Sequence, residues 1–188
     1  MSNQKLLEIS KEQLWKLFPI FLTNHRSEWK EYFLDEQEHL NNLLSKCAIK
    51  RISHIGSTAI KNIWAKPIID ILIELDSNEN MKMVSEILEK NDYICMRIES
   101  EKRRSFNKGD TLQGFAEKVF HLHLRYYGDN DEVYFRDYLN EHAEIAKLYE
   151  ELKLNLWKQY EHDRDGYTEA KSEFVKKYTG IAKQRKSQ

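Results

Sequence analysis

The chain has 188 residues, 40% of them apolar, which is enough for one well-filled domain, and 30 Lys and Arg against 31 Asp and Glu leave a net charge of −1. That balance excludes a strongly basic nucleic-acid binder and an acidic disordered tail, and only six Gly and two Pro exclude a collagen-like or low-complexity chain. Two cysteines without metal spacing, an N-terminus without a basic-then-apolar leader, and a longest apolar stretch broken by Asp70 and Glu74 predict a cytoplasmic protein with no membrane span.

In chain order, Ser27 predicts the cap of an amphipathic helix whose face carries Trp29, Phe33, Leu40, Leu43 and Leu44. Strands are predicted over Ala48 to Ile55 and Pro67 to Leu75, a helix over Met81 to Lys90, and strands over Tyr93 to Ile98, Arg103 to Asn107 and Lys118 to Tyr127. Beyond Gly128 the period becomes helical: Val133 to His142, Ala143 to Tyr160, and a last helix after Asp163. There Tyr167, Lys171, Phe174 and Tyr178 are spaced to form one stripe. The expected architecture is a single α+β domain, a mixed-sheet body over about 20–127 with flanking helices and a C-terminal helical segment over about 130–186.

Three places could carry chemistry. Gly56-Ser57-Thr58 after the first strand is material for a phosphate-binding turn, and equally for an ordinary helix cap. In the second strand Ile69, Ile71, Ile73 and Leu75 form an apolar face, while Asp70 stands on the other beside Leu72 and Glu74. A carboxylate there asks for a pairing, a metal or solvent. The last strand sets Phe120, Leu122, Leu124 and Tyr126 against His121, His123 and Arg125, so two imidazoles and a guanidinium share a face, able to flank a metal or a phosphate or simply to meet water.

The words around these residues are more specific. Gly56-Ser57 followed after twelve residues by Asp70 in an apolar strand resembles the signature of the polymerase-β-like nucleotidyltransferases. His54-Ile55-Gly56-Ser57-Thr58-Ala59 and Ala65-Lys66-Pro67-Ile68-Ile69-Asp70-Ile71 resemble the core motif of the GrpB family. So do Trp29, Phe33 and Glu36; Arg103, Arg104, Phe106, Lys108 and Gly109; His121 with His123; Phe135-Arg136-Asp137-Tyr138-Leu139; and Tyr167-Thr168-Glu169-Ala170-Lys171 with Phe174.

This resemblance implies a nucleotidyltransferase-like fold in which Gly56, Ser57 and Thr58 hold phosphate and Asp70 binds a divalent metal (Mg, Mn or Zn) as the catalytic acid. Lys66, Arg104, Lys108, Arg125 and Lys171 are the candidate phosphate-facing cations, and Tyr167 is placed to cover a nucleobase. The partner expected is a nucleotide or other phosphorylated small molecule, with no specific nucleic acid and no membrane. One departure weakens a transferase reading. The usual second acid, two residues after the first, is Leu72, and Glu74 lies about 13 Å along the strand, too far to share an ion with Asp70. A site of Asp70, His121 and His123 would be a different metal shell. The competing expectation is a catalytically inactive nucleotide-sensing or protein-interaction module of the same fold.

Overall fold

A computed structural model describes residues 6 and 8–186. It contains α1 (Lys11–Leu17), α2 (Glu28–Leu43), β1 (Ile49–Ile55), β2 (Ile69–Leu75), α3 (Met81–Glu89), β3 (Ile94–Ser100), β4 (Arg103–Thr111), β5 (Gly114–Tyr126), α4 (Asp131–Glu141), α5 (Ala143–Gln159), α6 (Arg164–Ala170) and α7 (Ser172–Lys186). The strands form one sheet in the order β1-β2-β5-β4-β3, with β2 and β5 parallel and every other pair antiparallel. The expected mixed-sheet α+β architecture is therefore present.

Strand alternation decides which face is core. Ile69, Ile71, Ile73 and Leu75 of β2 and Phe120, Leu122 and Leu124 of β5 bury one face of the sheet against Trp29, Phe33 and Leu40 of α2 and Met81, Val84 and Leu88 of α3. Packing of this kind is the main stabilising term of the body. On the opposite face Leu72 and Ile55 pack with Val133 of α4. A separate cluster, which includes Phe135, Tyr138, Tyr149 and Tyr178, binds α4, α5 and α7 together. The C-terminal helices thus roof part of the second face and leave a cavity beneath them.

Four details differ from the sequence reading. Ser27 precedes α2 but makes no side-chain cap; its hydroxyl instead bonds Glu28. The hairpin of β4 and β5 runs well past Asn107 and starts before Lys118, because Gly109, at φ 93, absorbs a register shift. A Cβ there would stand 2.3 Å from the Lys118 carbonyl oxygen, so the strand crosses this point only with glycine. α1 lies outside the predicted elements, although Ser10 and Gln13 close a capping box at its start. Finally, the last helix is two, parted at Lys171, and the Tyr167 stripe is divided between them.

Candidate functional site

A cavity of about 740 Å³ lies between the second face of the sheet and the C-terminal helices. Its floor follows from register: Asp70 pairs with His121, and Leu72 with His123, so the carboxylate sits between two imidazoles of the adjacent parallel strand. Asp70 Oδ1 is 3.6 Å from His123 Nε2 and 4.0 Å from His121 Nδ1. Burial works against ionising Asp70, but the close approach of His123 and the charge of Lys66 outweigh it and hold the carboxyl below its usual range. Burial also drives His121 down to about 3, against the pull of Asp70, so that ring is neutral beside the carboxylate.

The Gly56 turn is built against this acid. Gly56 has φ 70, and a Cβ on it would lie 2.2 Å from Asp70 Oδ2. Next along the turn, Ser57 faces the cavity beside Tyr149 of α5. Thr58 is spent internally: its hydroxyl donates to the Ile68 carbonyl at 3.0 Å, so His54 Nε2, also at 3.0 Å, is the donor to Thr58 Oγ1. His54 stacks on Phe33 and is pushed to about 4 by burial. Thr58 thus fastens the turn to β2, where the sequence reading gave it a phosphate contact.

Cations line the opposite wall. Lys66, Lys171 and Arg164 face the cavity, and among the described residues none of them has a carboxylate within 4.0 Å. Lys171 lies 4.0 Å over the ring of Tyr167, itself buried, and Lys66 lies 5.8 Å from the same ring. Lys153, fully buried, donates to the Trp64 carbonyl oxygen at the cavity edge. Burial, reinforced by neighbouring cations, lowers Lys66 and Lys153 to about 7; burial takes Lys171 to about 8. Arg164 is lowered by burial too, but a guanidinium keeps its charge. Arg164, Lys153 and Tyr149 escaped the sequence reading, since a basic or aromatic residue on a helix has no periodicity that says what it faces.

The remaining expected cations are elsewhere. Arg104 and Lys108 pair in register with Leu124 and Phe120, which puts both on the helix-covered face, away from Asp70. There Arg104 donates to Ser85 and Lys108 to Glu36, at 2.9 and 2.7 Å. Arg125 does share the face of His121 and His123, yet it is buried beyond the cavity and turned to Asp129 and Glu132.

The donors do not fit a resident metal. Groups sharing one tetrahedral ion at bonds of 2.0–2.3 Å stand about 3.3–3.8 Å apart, so His123 at 3.6 Å from Asp70 lies within that range while His121 at 4.0 Å lies outside it, and a carboxylate with one imidazole is too few donors for a resident ion. Among the described residues no group of three or more His, Cys, Asp or Glu side chains is disposed to hold a metal ion. Leu72 occupies the second-acid position, fully buried, and Glu74 is bonded away to Arg51, Gly128 and Asn130. The three residues do converge as expected, but as a carboxylate braced by imidazoles rather than as a coordination shell. Calorimetric titration of the ligand-free protein with Mn²⁺ is expected to show no saturable binding below millimolar. Tighter binding that disappears in Asp70→Asn would restore the metal centre.

Comparison with known proteins gives a consistent picture. The family model described as GrpB protein matches residues 19–180. Glutamate-rich protein GrpB of Alkalihalophilus pseudofirmus is 36% identical over 161 residues, which cover 83% of this chain and 91% of that protein. UPF0157 protein YqkA of Bacillus subtilis is 36% identical over 156 residues, 81% of this chain but 44% of YqkA, so the chain spans less than half of that relative. The crystal structure of conserved protein GrpB from Enterococcus faecalis is similar with a TM-score of 0.77 at 27% identity, covering 89% of this chain and 100% of that one. No helix among the described residues is long and apolar enough to cross a membrane.

Proposed function

The chain belongs to the GrpB family, and we propose that its cavity binds a nucleotide or a related phosphorylated small molecule, the ligand class of the nucleotidyltransferases that its Gly56-Ser57 turn resembles. The observation that carries this reading is charge. Lys66, Lys171 and Arg164 line one cavity without a neutralising carboxylate at contact, and Asp70, already braced by two imidazoles, is the acid at its floor. Half-buried cations without a carboxylate partner are costly, and a phosphate bearing two negative charges offsets that cost. Arg164 supplies a planar fork suited to bidentate phosphate binding, while the two lysines act as point charges. Leu22, Ile55, Phe135 and Val175 give the cavity an apolar side for the rest of the ligand, and Tyr167, under Lys171, offers a ring face.

Leu72 at the second-acid position supports a binding module that senses its ligand over a two-metal nucleotidyl transferase. The two differ in one measurement, release of pyrophosphate from a bound nucleoside triphosphate.

Thermal-shift measurements with nucleoside mono-, di- and triphosphates, each with and without Mg, Mn or Zn, test the binding itself, because a ligand of the native state raises the melting temperature by mass action. Stabilisation is expected, larger at pH 7 than at pH 9. The lysines of the empty cavity hold their protons only below about 7 to 8, so above that range the anion loses its counter-charges. The ligand-free protein moves the other way. Its unfolded lysines stay protonated to pH near 10.4 while the folded ones do not, so its own stability rises with pH across that window. A nucleotide shift that grows with pH, or no shift from any phosphate compound at high excess, would overturn the reading.

A further inference from the structure

A second cavity, of about 400 Å³, lies on the other side of the histidine pair and shares His121, His123 and Arg164 with the first. Trp15 and Phe18, from α1 and its C-terminal end, give it an aromatic lining, and at its rim Lys11 pairs with Asp165 and lies 4.9 Å over the Trp15 ring. Asp110 of β4, only 4% exposed, also lines it. One carboxyl oxygen of Asp110, Oδ2, accepts from Asn107 Nδ2 at 2.6 Å. The other, Oδ1, is buried with no hydrogen-bond partner.

A buried carboxyl oxygen without a donor is among the more costly features a fold can retain, and it asks for a hydrogen supplied from outside the chain. Burial raises the Asp110 carboxyl above its ordinary range, with the Asn107 hydrogen bond and the charges of Arg164 and Lys66 acting against the rise. The charges around the cavity are close to balance. Lys11 and Arg97 face Asp110 and Asp165, and the remaining cation, Arg164, also lines the first cavity. An uncharged donor fits this balance, and a hydroxyl is the simplest group that brings one hydrogen and no charge.

We infer that the second cavity binds an uncharged, hydroxyl-bearing molecule whose O–H donates to Asp110 Oδ1 and whose apolar or aromatic body lies against Trp15. Resting on the phosphorylated-ligand reading of the first cavity, this site lies across the His121–His123 wall from the phosphate and gives the protein a second ligand site.

The test follows the Trp15 indole N–H by NMR, assigned with Trp15→Phe, in the full chain. Benzyl alcohol, its methyl ether and benzylamine probe the second cavity, and inorganic tripolyphosphate probes the first. Benzyl alcohol is expected to shift the Trp15 signal saturably, with the ether at least about tenfold weaker because it has no hydrogen to donate. Asp110→Ala is expected to bring the alcohol down to the ether's affinity while changing tripolyphosphate affinity by less than about twofold. Should Asp110→Ala fail to fold, Trp15→Ala on the surface helix serves, with saturation transfer to the alcohol as the readout and its loss as the expected result. Equal binding of alcohol and ether would overturn the inference, as would tighter binding of benzylamine, or an alcohol response unchanged in the variants. If tripolyphosphate does not bind but alcohol-selective binding at Trp15 persists, the second site stands and the anion reading of the first cavity falls.

Discussion

Gly56→Val is expected to weaken phosphate-ligand binding by at least about a hundredfold and to lower the melting temperature as well. Two penalties act at one position. The backbone of Gly56 sits at φ 70, where a β-branched side chain is strained by more than the ~1 kcal/mol that a non-glycine residue commonly pays. In addition, the new Cβ would meet Asp70 Oδ2 at 2.2 Å, with the Asp70 side-chain carbons at 2.8 and 2.9 Å, so the carboxylate must leave its place between His121 and His123. Moving Asp70 disturbs the floor of the cavity and shifts Ser57 from Tyr149 at the same time. Gly56→Ala meets the same collision with less bulk and should fall between. Isothermal calorimetry of the ligand identified by thermal shift, together with melting curves of the free proteins, checks both effects. Wild-type affinity in Gly56→Val would mean that the turn is a helix cap and that the phosphate is bound elsewhere.

Much of this site was legible in the sequence because strands report their faces. The period-two alternation in Ile69–Leu75 and Phe120–Tyr126 set Asp70, His121 and His123 opposite the apolar rows. Once β2 and β5 are parallel neighbours, these three side chains can only meet. The cationic wall was less legible. The spacing puts Lys171 and Tyr167 on one helical stripe with Phe174 and Tyr178, yet the break between α6 and α7 turns the first pair to the cavity and leaves the second pair in the helical cluster. Nothing in the run from Tyr167 to Tyr178 marks the break, since it contains no Gly or Pro.

Arg104 and Lys108 show the complementary failure. Both share the core face with Phe106, so alternation alone sets them apart from the histidines once the partner strand and its register are known. α1 was the readable element that went unread, since Ser10 and Gln13 stand at the spacing of a capping box. The pairing of Asn107 with Asp110 could not have been read, because it depends on the bulge at Gly109 that brings both side chains to one place.

The strand that carries Asp70 also carries Glu74, and Glu74→Ala is expected to cost roughly 2–4 kcal/mol of stability while leaving phosphate-ligand affinity nearly unchanged. Glu74 is fully buried and sits in register between Arg51 of β1 and Arg125 of β5. One of its oxygens accepts from Arg51 Nε at 2.5 Å, and the other from the Gly128 amide at 3.1 Å and Asn130 Nδ2 at 2.9 Å. The carboxylate therefore ties the β1 edge of the sheet to the turn that launches α4, the first helix of the cavity roof. Alanine removes the buried carboxylate, leaves a void in the sheet and releases the Arg51, Gly128 and Asn130 donors, which are partly exposed and can turn to water. Glu74→Gln keeps an oxygen for Gly128 and Asn130 but gives up the charge opposite Arg51, so its loss should be smaller than that of alanine. Urea denaturation of the three proteins measures the order, with a melting temperature about 10 °C lower expected for alanine in a chain of this size. If instead Glu74→Ala melts like the wild type but no longer binds ligand, Glu74 belongs to the site and the second acid of the strand has been found at that position.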